Sequence, residues 1–126
     1  MSMIEVKAVG GYNKVGKNMT AVKVGEEVVI FDMGLDLDNY IAFTENEPLE
    51  LSSIPASTLI KAGAIPNDKV LGDWKKKVVG IIPTHGHLDH VGALVFLSNS
   101  YKAPIICTPL TKAIIQTISK DERIAL

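Results

Sequence analysis

The sequence predicts a layered α/β domain in which helices cover a dominant sheet. Strand-like patterns crowd the first third of the chain, and helix-like segments follow the strand-like segments of the last third. Hydrophobic residues make up 47% of the 126 residues, which is ample for a packed core. The predicted order is ββββαβα, and nothing in this order obviously covers the second face of the sheet.

The first three strands are predicted from alternation and from β-rich composition. From 4 to 9 apolar residues alternate with Glu5 and Lys7, and a glycine pair then interrupts the pattern. Residues 19–24 and 28–31 are β-rich and are separated by Gly-Glu-Glu. This spacing predicts a hairpin whose second strand is buried on both faces.

The middle of the chain is weakly patterned and leads into a fourth strand. Between 33 and 77 the sequence predicts a loop with one short helix at 56–62, which Pro55 starts and Gly63 stops. Residues 78–82 form a short apolar run closed by Pro83. This run predicts a buried strand that leads into a loop.

The last third predicts a helix, a short strand and a second helix. Apolar or small residues at 91, 94, 95 and 98 fall at helical spacing. Asp89 is expected to cap this helix or to interact favourably with the positive end of its dipole. The helix is expected to end at residues 99–100. A short strand is predicted at 105–107. Thr108 then caps a helix that Pro109 begins, with positions 110, 114 and 118 along one face.

Composition gives no overall signal for a nucleic-acid or membrane partner, so any such partner must be bound locally, and it predicts a cytoplasmic protein. Thirteen basic and fourteen acidic residues give a net charge of -1, so no global positive field attracts nucleic acid or an anionic membrane. The first residues lack a secretory signal, and no apolar run approaches the roughly 20 residues of a membrane span. The single Cys107 lies in an apolar run, where burial is the expected role.

All three histidines lie in residues 85–90, which we call the histidine segment. His85 and His87 are two apart and converge only if the backbone is extended or turned, which Gly86 permits. Asp89 and His90 are adjacent at a helix start, where side chains splay, and they suit a second metal beside the first. The alternative is a polar loop with a capping aspartate or a pH-sensitive cluster.

Paired metals would give the histidine segment a hydrolytic chemistry. Two ions about 3.5–4 Å apart activate a bridging water and stabilise the oxygens of an in-line displacement at phosphorus, so phosphoesters are a natural substrate. Such a site needs roughly three protein ligands per metal plus a bridge, and this sequence offers no fourth histidine. The site is therefore incomplete in these 126 residues.

Asp32, after the apolar residues 28–31, has two interpretations that the residues alone leave open. Its carboxylate could orient a metal-bound histidine or water. Alternatively it ends a strand and starts a turn with Met33 and Gly34.

Residues 11–18 match a phosphate-binding P-loop through the lysine and then fail, because Asn18 replaces Ser or Thr and strand-like sequence follows. We exclude a nucleoside triphosphate site and favour an ordinary strand connection.

Two charged clusters are also interpreted as solvated surface. Asp36 and Asp38 alternate as in a calcium loop, but the required glycine and the twelfth-position glutamate are missing. Lys75, Lys76 and Lys77 beside Trp74 could contact RNA, yet a charge run before a buried strand is more often a solvated edge.

The histidine segment also carries a family resemblance. Thr-His-Gly-His-Leu-Asp-His at 84–90, followed by Val-Gly-Ala-Leu at 91–94, resembles the second motif of the metallo-β-lactamase superfamily. With Gly-Gly at 10–11, Val-Gly-Lys-Asn-Met at 15–19 and Phe-Asp-Met-Gly at 31–34, it resembles the ribonuclease J branch, particularly its archaeal members.

The resemblance implies a fold and a set of site residues. The fold would be a four-layer αββα sandwich, of which residues 1–126 form the N-terminal half with a bare inner sheet face. His85 and His87 would bind a first zinc, and Asp89 and His90 a second. Asp32 would buttress the site with Thr84 beside it, and Asp89 and Asp32 are the predicted catalytic residues.

The resemblance further implies a zinc-dependent ribonuclease, with manganese as a possible substitute. It would degrade RNA from a 5′ monophosphate end and sometimes cut internally, with a metal-bound hydroxide attacking phosphorus. The other ligands and an RNA-clamping β-CASP domain would lie further along the chain, so we expect the 126 residues alone to be inactive or nearly so.

Two other functions remain open at this point. One is a thioester, lactone or β-lactam hydrolase of the same fold. The other is a non-catalytic zinc-binding assembly module. Because a half-sandwich leaves apolar surface bare, we also expect self-association through the uncovered sheet face.

Overall fold

The computed structural model describes residues 3–46, 54–122 and 126, and its centre is a four-stranded sheet with strand order β1-β2-β3-β4. The strands are β1 (Ile4–Gly10), β2 (Met19–Val24), β3 (Glu27–Phe31) and β4 (Val78–Ile82). β1, β2 and β3 run antiparallel, and β4 is parallel to β3. The predicted hairpin and the predicted strand at 78–82 are both present.

Helices cover one face of this sheet. They are α1 (Leu37–Asn46), α2 (Ala56–Lys61), a 3-10 helix (Asp68–Lys77) kinked at Gly72, α3 (Leu88–Val91), α4 (Leu94–Leu97), a short 3-10 helix (Ser98–Ser100) and α5 (Pro109–Asp121). The short helix predicted after Pro55 is α2.

The prediction of a mostly irregular stretch between 33 and 77 was wrong. α1 and the 3-10 helix occupy much of it. α1 starts at a turn in which the carboxylate of Asp36 accepts the backbone N–H of Asn39 at 3.0 Å. The 3-10 helix is held against the sheet by Lys7, whose ammonium donates to the carbonyls of Val70 and Leu71. Contacts with distant residues thus stabilise helical segments that periodicity alone did not reveal.

The single helix predicted from Asp89 to 99–100 was also wrong. The chain forms α3, α4 and the short 3-10 helix instead, because the N–H of Ala93 donates to the carbonyl of Met33 at 2.9 Å rather than to the preceding turn. Asp89 lies in the first turn of α3, and the residue at the N-cap is His87, with no side-chain capping bond.

The region after Ser100 follows the prediction only in part. The strand predicted at 105–107 reduces to one parallel bridge between Ile81 and Ile105. α5 begins as predicted, with the Thr108 hydroxyl accepting the N–H of Thr111 at 3.2 Å. Its buried residues are Thr111 and Ile115, whereas Leu110 is 72% exposed.

The core lies between the helices and one face of the sheet. Ala21, Val28 and Ile30 point into it and are fully buried. The opposite face, which we call the open face, has apolar residues on neighbouring strands, and Ile4 and Val6 are 66% and 61% exposed.

β3 is consequently not buried on both faces as predicted, since its open-face residues Val29 and Phe31 are only half-buried. Cys107 is half-buried and packs against the core. Self-association through the open face stays a prediction.

In the described part of the chain, no helix has both the length and the apolar character that a membrane crossing requires.

Candidate metal centre

The histidine segment lies where β3 and β4 end side by side. Because the two strands are parallel, their carboxyl ends meet at one edge of the sheet. Asp32 follows β3, Thr84 and the histidine segment follow β4, and the N–H of Asp32 donates to the carbonyl of Ile82 at 3.2 Å. Ligands of open α/β sheets bind at this kind of edge.

Asp32 is buried, with 6% exposure, and its backbone has a positive φ of 67°. This left-handed conformation is uncommon for residues other than glycine, although aspartate tolerates it better than most. One carboxylate oxygen accepts the backbone N–H of Thr84 at 2.7 Å, and both oxygens lie 3.0 Å from the Thr84 hydroxyl. The other oxygen lies 2.8 Å from Nδ1 of His90. Asp32 therefore follows the end of β3 and also contacts the ring of His90, and its role beside a metal-bound histidine stays a prediction.

The imidazole of His85 contacts those of His87 and His90. The ring centroid of His85 lies 4.7 Å from that of His87 and 4.0 Å from that of His90. Nε2 of His90 lies 3.6 Å from a carboxylate oxygen of Asp89, and the Thr84 hydroxyl lies 3.0 Å from Nδ1 of His85. The fold thus brings together every residue of the predicted site.

The side chains do not enclose an ion in this arrangement: within the described ranges no group of three or more His, Cys, Asp or Glu side chains is disposed to hold a metal. The donor atoms of these residues are nevertheless of the types that bind a divalent cation. Nδ1 of His90 faces a buried carboxylate, an arrangement that fixes the ring and makes its other nitrogen a better ligand. Imidazole and carboxylate donors suit zinc. The metal-binding roles of His85, His87, Asp89 and His90 stay predictions.

A set of backbone hydrogen bonds fixes the turn that carries Asp89 and His90. The carbonyls of Leu88, Asp89 and His90 accept the N–H groups of Leu35, Asn18 and Met33 at 2.9, 3.1 and 2.9 Å. The segment after β3 and the loop before β2 thereby hold α3 from two sides.

Gly34 is required for this close approach. A Cβ at Gly34 would overlap the carbonyl oxygen of Asp89 and lie 2.7 Å from the backbone nitrogen of Asn18. Gly92 is similarly confined, because a Cβ there would lie 2.6 Å from Cβ of Leu35. The two glycines let the segments pack backbone to backbone around the site.

Asn18 is a residue of the site that sequence reasoning missed. Its carboxamide nitrogen donates to the carbonyl of Asp89 at 2.9 Å and lies 3.5 Å from Nε2 of His90. The signals in the sequence were the position at which the P-loop pattern failed and the place of Asn18 in the motif at 15–19 that carries the family resemblance. Asn18 and Asp89 are 71 positions apart in the sequence, so no local pattern reveals the contact.

A cleft of about 410 Å³ lies beside the histidine segment and is lined by residues that include Val15, Asp36, Asp38, His87 and Asp89. Burial alone would raise the pKa of Asp36, but the hydrogen bond from Lys14, the N–H of Asn39 and the charge of Lys17 outweigh it and lower that pKa. The Asp36 carboxylate is thus already paired within the chain, in line with the exclusion of a calcium loop.

The lysines at 75–77 lie at the other end of β4. Lys75 pairs with Asp68 at 3.3 Å, Lys77 pairs with Glu26 at 2.7 Å, and the ammonium of Lys7 lies 4.4 Å from the ring centroid of Trp74. These contacts favour the interpretation as a solvated edge over an RNA-stacking surface.

Known proteins resemble this chain in sequence and in fold. Ribonuclease J of Methanocaldococcus jannaschii is 45% identical over 86% of this chain, and ribonuclease J of Pyrococcus abyssi is 43% identical over 97%. The chain spans only 23% and 26% of the length of these relatives.

In fold, the chain is similar to a solved Thermotoga maritima structure described as that of a metallo-beta-lactamase. The TM-score is 0.50 and the identity 12%, over 98% of this chain and 57% of that one. This likeness supports the mixed α/β fold predicted from the sequence. The sequence model of the metallo-beta-lactamase superfamily matches residues 12–123. The chain therefore belongs to the metallo-β-lactamase superfamily.

Proposed function

We propose that these residues form the N-terminal part of the catalytic domain of a metal-dependent ribonuclease of the ribonuclease J type. The observation that carries the proposal is the cluster of three imidazoles and Asp89 beside Asp32, at the edge where β3 and β4 end. Relatives at 43–45% identity that are named ribonuclease J support RNA as the substrate.

Membership of the superfamily implies divalent metal ions. In this proposal His85 and His87 hold one ion and Asp89 and His90 hold a second, with further ligands supplied from outside this chain. Zinc is the proposed ion and manganese the alternative, since the donor set suits both more than it suits calcium. When bound, paired ions lower the pKa of a water and stabilise charge on the phosphoryl oxygens of the substrate.

The residues of this chain prepare the site for that chemistry. Asp32 accepts from Nδ1 of His90 and so selects the ring tautomer whose Nε2 carries the lone pair. The Thr84 backbone and hydroxyl hold Asp32 itself in place. The Asp32 carboxylate thereby acts on the reaction through His90, as a positioning residue.

Finer parts of the proposal come from the family resemblance. They are degradation from a 5′ monophosphate end in the 5′-to-3′ direction, occasional internal cleavage, a separate β-CASP domain that clamps RNA, and a cytoplasmic location. The cleft between Val15 and His87 is the part of the RNA path that these residues would supply.

The test uses the whole protein and 3′-labelled RNAs with 5′ monophosphate, triphosphate or hydroxyl ends. We expect chelation to abolish hydrolysis, and added zinc or manganese to restore it. Asp89→Asn and His87→Ala should remove activity, whereas the matched control Asp73→Asn, which alters an exposed aspartate away from the site, should not.

Other outcomes would contradict the proposal. Metal-dependent hydrolysis of a thioester, lactone or β-lactam without hydrolysis of RNA would assign the chain to another hydrolase of the same fold. A protein that binds metal and hydrolyses none of these substrates would favour the assembly module.

Self-association is a separate proposal that rests on the open face, where Ile4, Val6 and Val24 are 66%, 61% and 46% exposed. Apolar residues clustered on neighbouring strands favour burial against another surface. Sedimentation of the whole protein at several concentrations, with Val6→Lys beside wild type, tests it. A monomer at every concentration would contradict it.

A further inference from the structure

Asn18 contacts the turn that carries Asp89 and His90 through two polar groups and contacts Gly34 through a third. Its backbone N–H donates to the carbonyl of Asp89 at 3.1 Å, and its backbone carbonyl accepts the N–H of Gly34 at 2.9 Å. Its carboxamide adds a second bond to the Asp89 carbonyl at 2.9 Å. One residue of the loop before β2 therefore contacts both segments that build the site.

The carboxamide also faces the His90 ring from the side opposite to Asp32. Asp32 lies 2.8 Å from Nδ1, and the Asn18 nitrogen lies 3.5 Å from Nε2. A carboxylate only accepts hydrogen bonds, and the carboxamide nitrogen only donates them. Asp32 favours a proton on Nδ1, and the carboxamide favours a lone pair on Nε2, where a carboxylate oxygen of Asp89 also lies 3.6 Å away.

We propose that the Asn18 carboxamide is a positioning group for the metal centre, which holds the first turn of α3 and the ring of His90 in the orientation that binds a cation. The proposal rests on the proposed metal site. A cation at Nε2 would replace only the longer contact of Asn18 and leave its bond to the Asp89 carbonyl. Loss of partners that orient a ligand typically weakens metal binding by about 10- to 100-fold.

The side-chain role can be separated from the structural role of the same residue. Asn18→Ala removes the carboxamide but keeps the backbone N–H and carbonyl that bind Asp89 and Gly34. Asn13→Ala is the matched control, because Asn13 is exposed on the same loop. Asn18→Ser, which keeps a hydroxyl on a shorter side chain, replaces the alanine variant if that variant does not fold.

The first measurement is calorimetric titration of Zn²⁺ and Mn²⁺ into the metal-free whole protein. We expect the Asn18 variants to bind one ion about 10- to 100-fold more weakly, with Asn13→Ala unchanged. Equal affinities for all variants would overturn the proposal. Absence of binding in the wild type would instead refute the proposed function.

The second measurement needs no metal. In metal-free protein with ¹⁵N-labelled histidine, we expect Asn18→Ala to shift the Nε2 resonance of His90, which is identified by its loss in His90→Gln. Asn13→Ala should leave it in place. An unmoved resonance in the Asn18 variants would show that the carboxamide does not act on the ring and would overturn the proposal.

Discussion

The two ends of β3 and β4 carry polar clusters of opposite character. Where the strands begin, acidic groups are paired within the chain: Asp68 accepts from the Tyr101 hydroxyl at 2.7 Å and from Lys75 at 3.3 Å, and Glu26 meets Lys77. Where the strands end, the ring of His85 contacts those of His87 and His90, and the buried carboxylate of Asp32 orients His90.

The difference distinguishes a cluster that stabilises the fold from one prepared for a ligand. At the start of the strands, polar groups satisfy each other, and burial followed by the Asp68 hydrogen bond raises the pKa of Tyr101. At the end of the strands, the backbone is held in place by bonds from distant segments, and Asp32 has a left-handed conformation. Uncommon backbone conformations of this kind concentrate at functional sites.

The largest effect is expected from Gly34→Ala, which would disrupt the cluster where β3 and β4 end and leave the cluster where they begin intact. The new methyl group meets the carbonyl of Asp89 and the backbone of Asn18, neither of which has a flexible end to move away. We expect destabilisation of ~3 kcal/mol and loss of metal binding. Thermal unfolding and calorimetric titration measure the two effects.

Gly25→Ala is the matched control for that variant. Gly25 has a φ of 60°, but nothing lies within 4 Å of its Cβ position. We expect ~1 kcal/mol of destabilisation from backbone strain and unchanged metal binding. Similar results for both variants would show that the close approach at Gly34 does not matter.

Asp32 and Asp68 provide the next comparison, one aspartate from each end. Asp32→Asn keeps a residue that tolerates the positive φ but loses one acceptor, so we expect retained fold and roughly 10- to 100-fold weaker metal binding. Asp32→Ala leaves the Thr84 N–H and the His90 ring without their partner and should destabilise by ~2–3 kcal/mol.

Asp68→Asn should destabilise the fold without changing metal affinity. Circular dichroism and calorimetry of the three variants separate the effects. An Asp68 variant that loses metal as strongly as Asp32→Asn would refute the division between the two ends.

The same two ends of β3 and β4 show which parts of the fold and of the candidate site could be predicted from the sequence. The strands, the hairpin and the histidine segment were predictable because alternation, turn composition and motif spacing are local signals. The histidine segment was singled out from its spacing, whereas the residues alone left two interpretations of Asp32 open, and its predicted site role came from the family resemblance. The superfamily, predicted from the same residues, was confirmed by the match over 12–123.

What could not be predicted depends on contacts between distant residues. Asn18 and Asp89 are 71 positions apart, and the break between α3 and α4 follows from the bond between Ala93 and Met33. Likewise, the 3-10 helix before β4 depends on Lys7 of β1. No local periodicity encodes such bonds, so the architecture around the histidine segment became visible only in three dimensions.

Tyr101→Phe, at the end where β3 and β4 begin, is expected to destabilise the fold less than the preceding variants. It removes the hydroxyl that donates to Asp68 but leaves Lys75 as a partner of that carboxylate. We expect a loss of ~1 kcal/mol in the free energy of unfolding and unchanged metal affinity. Altered metal binding by Tyr101→Phe would show that the cluster where the strands begin influences the cluster where they end.

The smallest effect is expected from Asp36→Asn, at the boundary between the fold and the site. Because the folded-state pKa of Asp36 lies below its ordinary value of 3.8, its carboxylate stabilises the folded state above that pH, and the contribution disappears as the pH falls through the lowered pKa. Asp36→Asn should thus be less stable than wild type at pH 7, by ~1 kcal/mol or less since Lys14 is partly exposed.

The difference between Asp36→Asn and wild type should vanish in acid, whereas the exposed control Asp73→Asn should match wild type at both pH values. Thermal unfolding of metal-free protein from pH 7 downward measures it. A difference that persists at the lowest pH would mean that Asp36 acts by shape and hydrogen bonding to Asn39, not by its charge. The cleft beside His87 would then owe its form to the turn that starts α1 and not to the ion pair with Lys14.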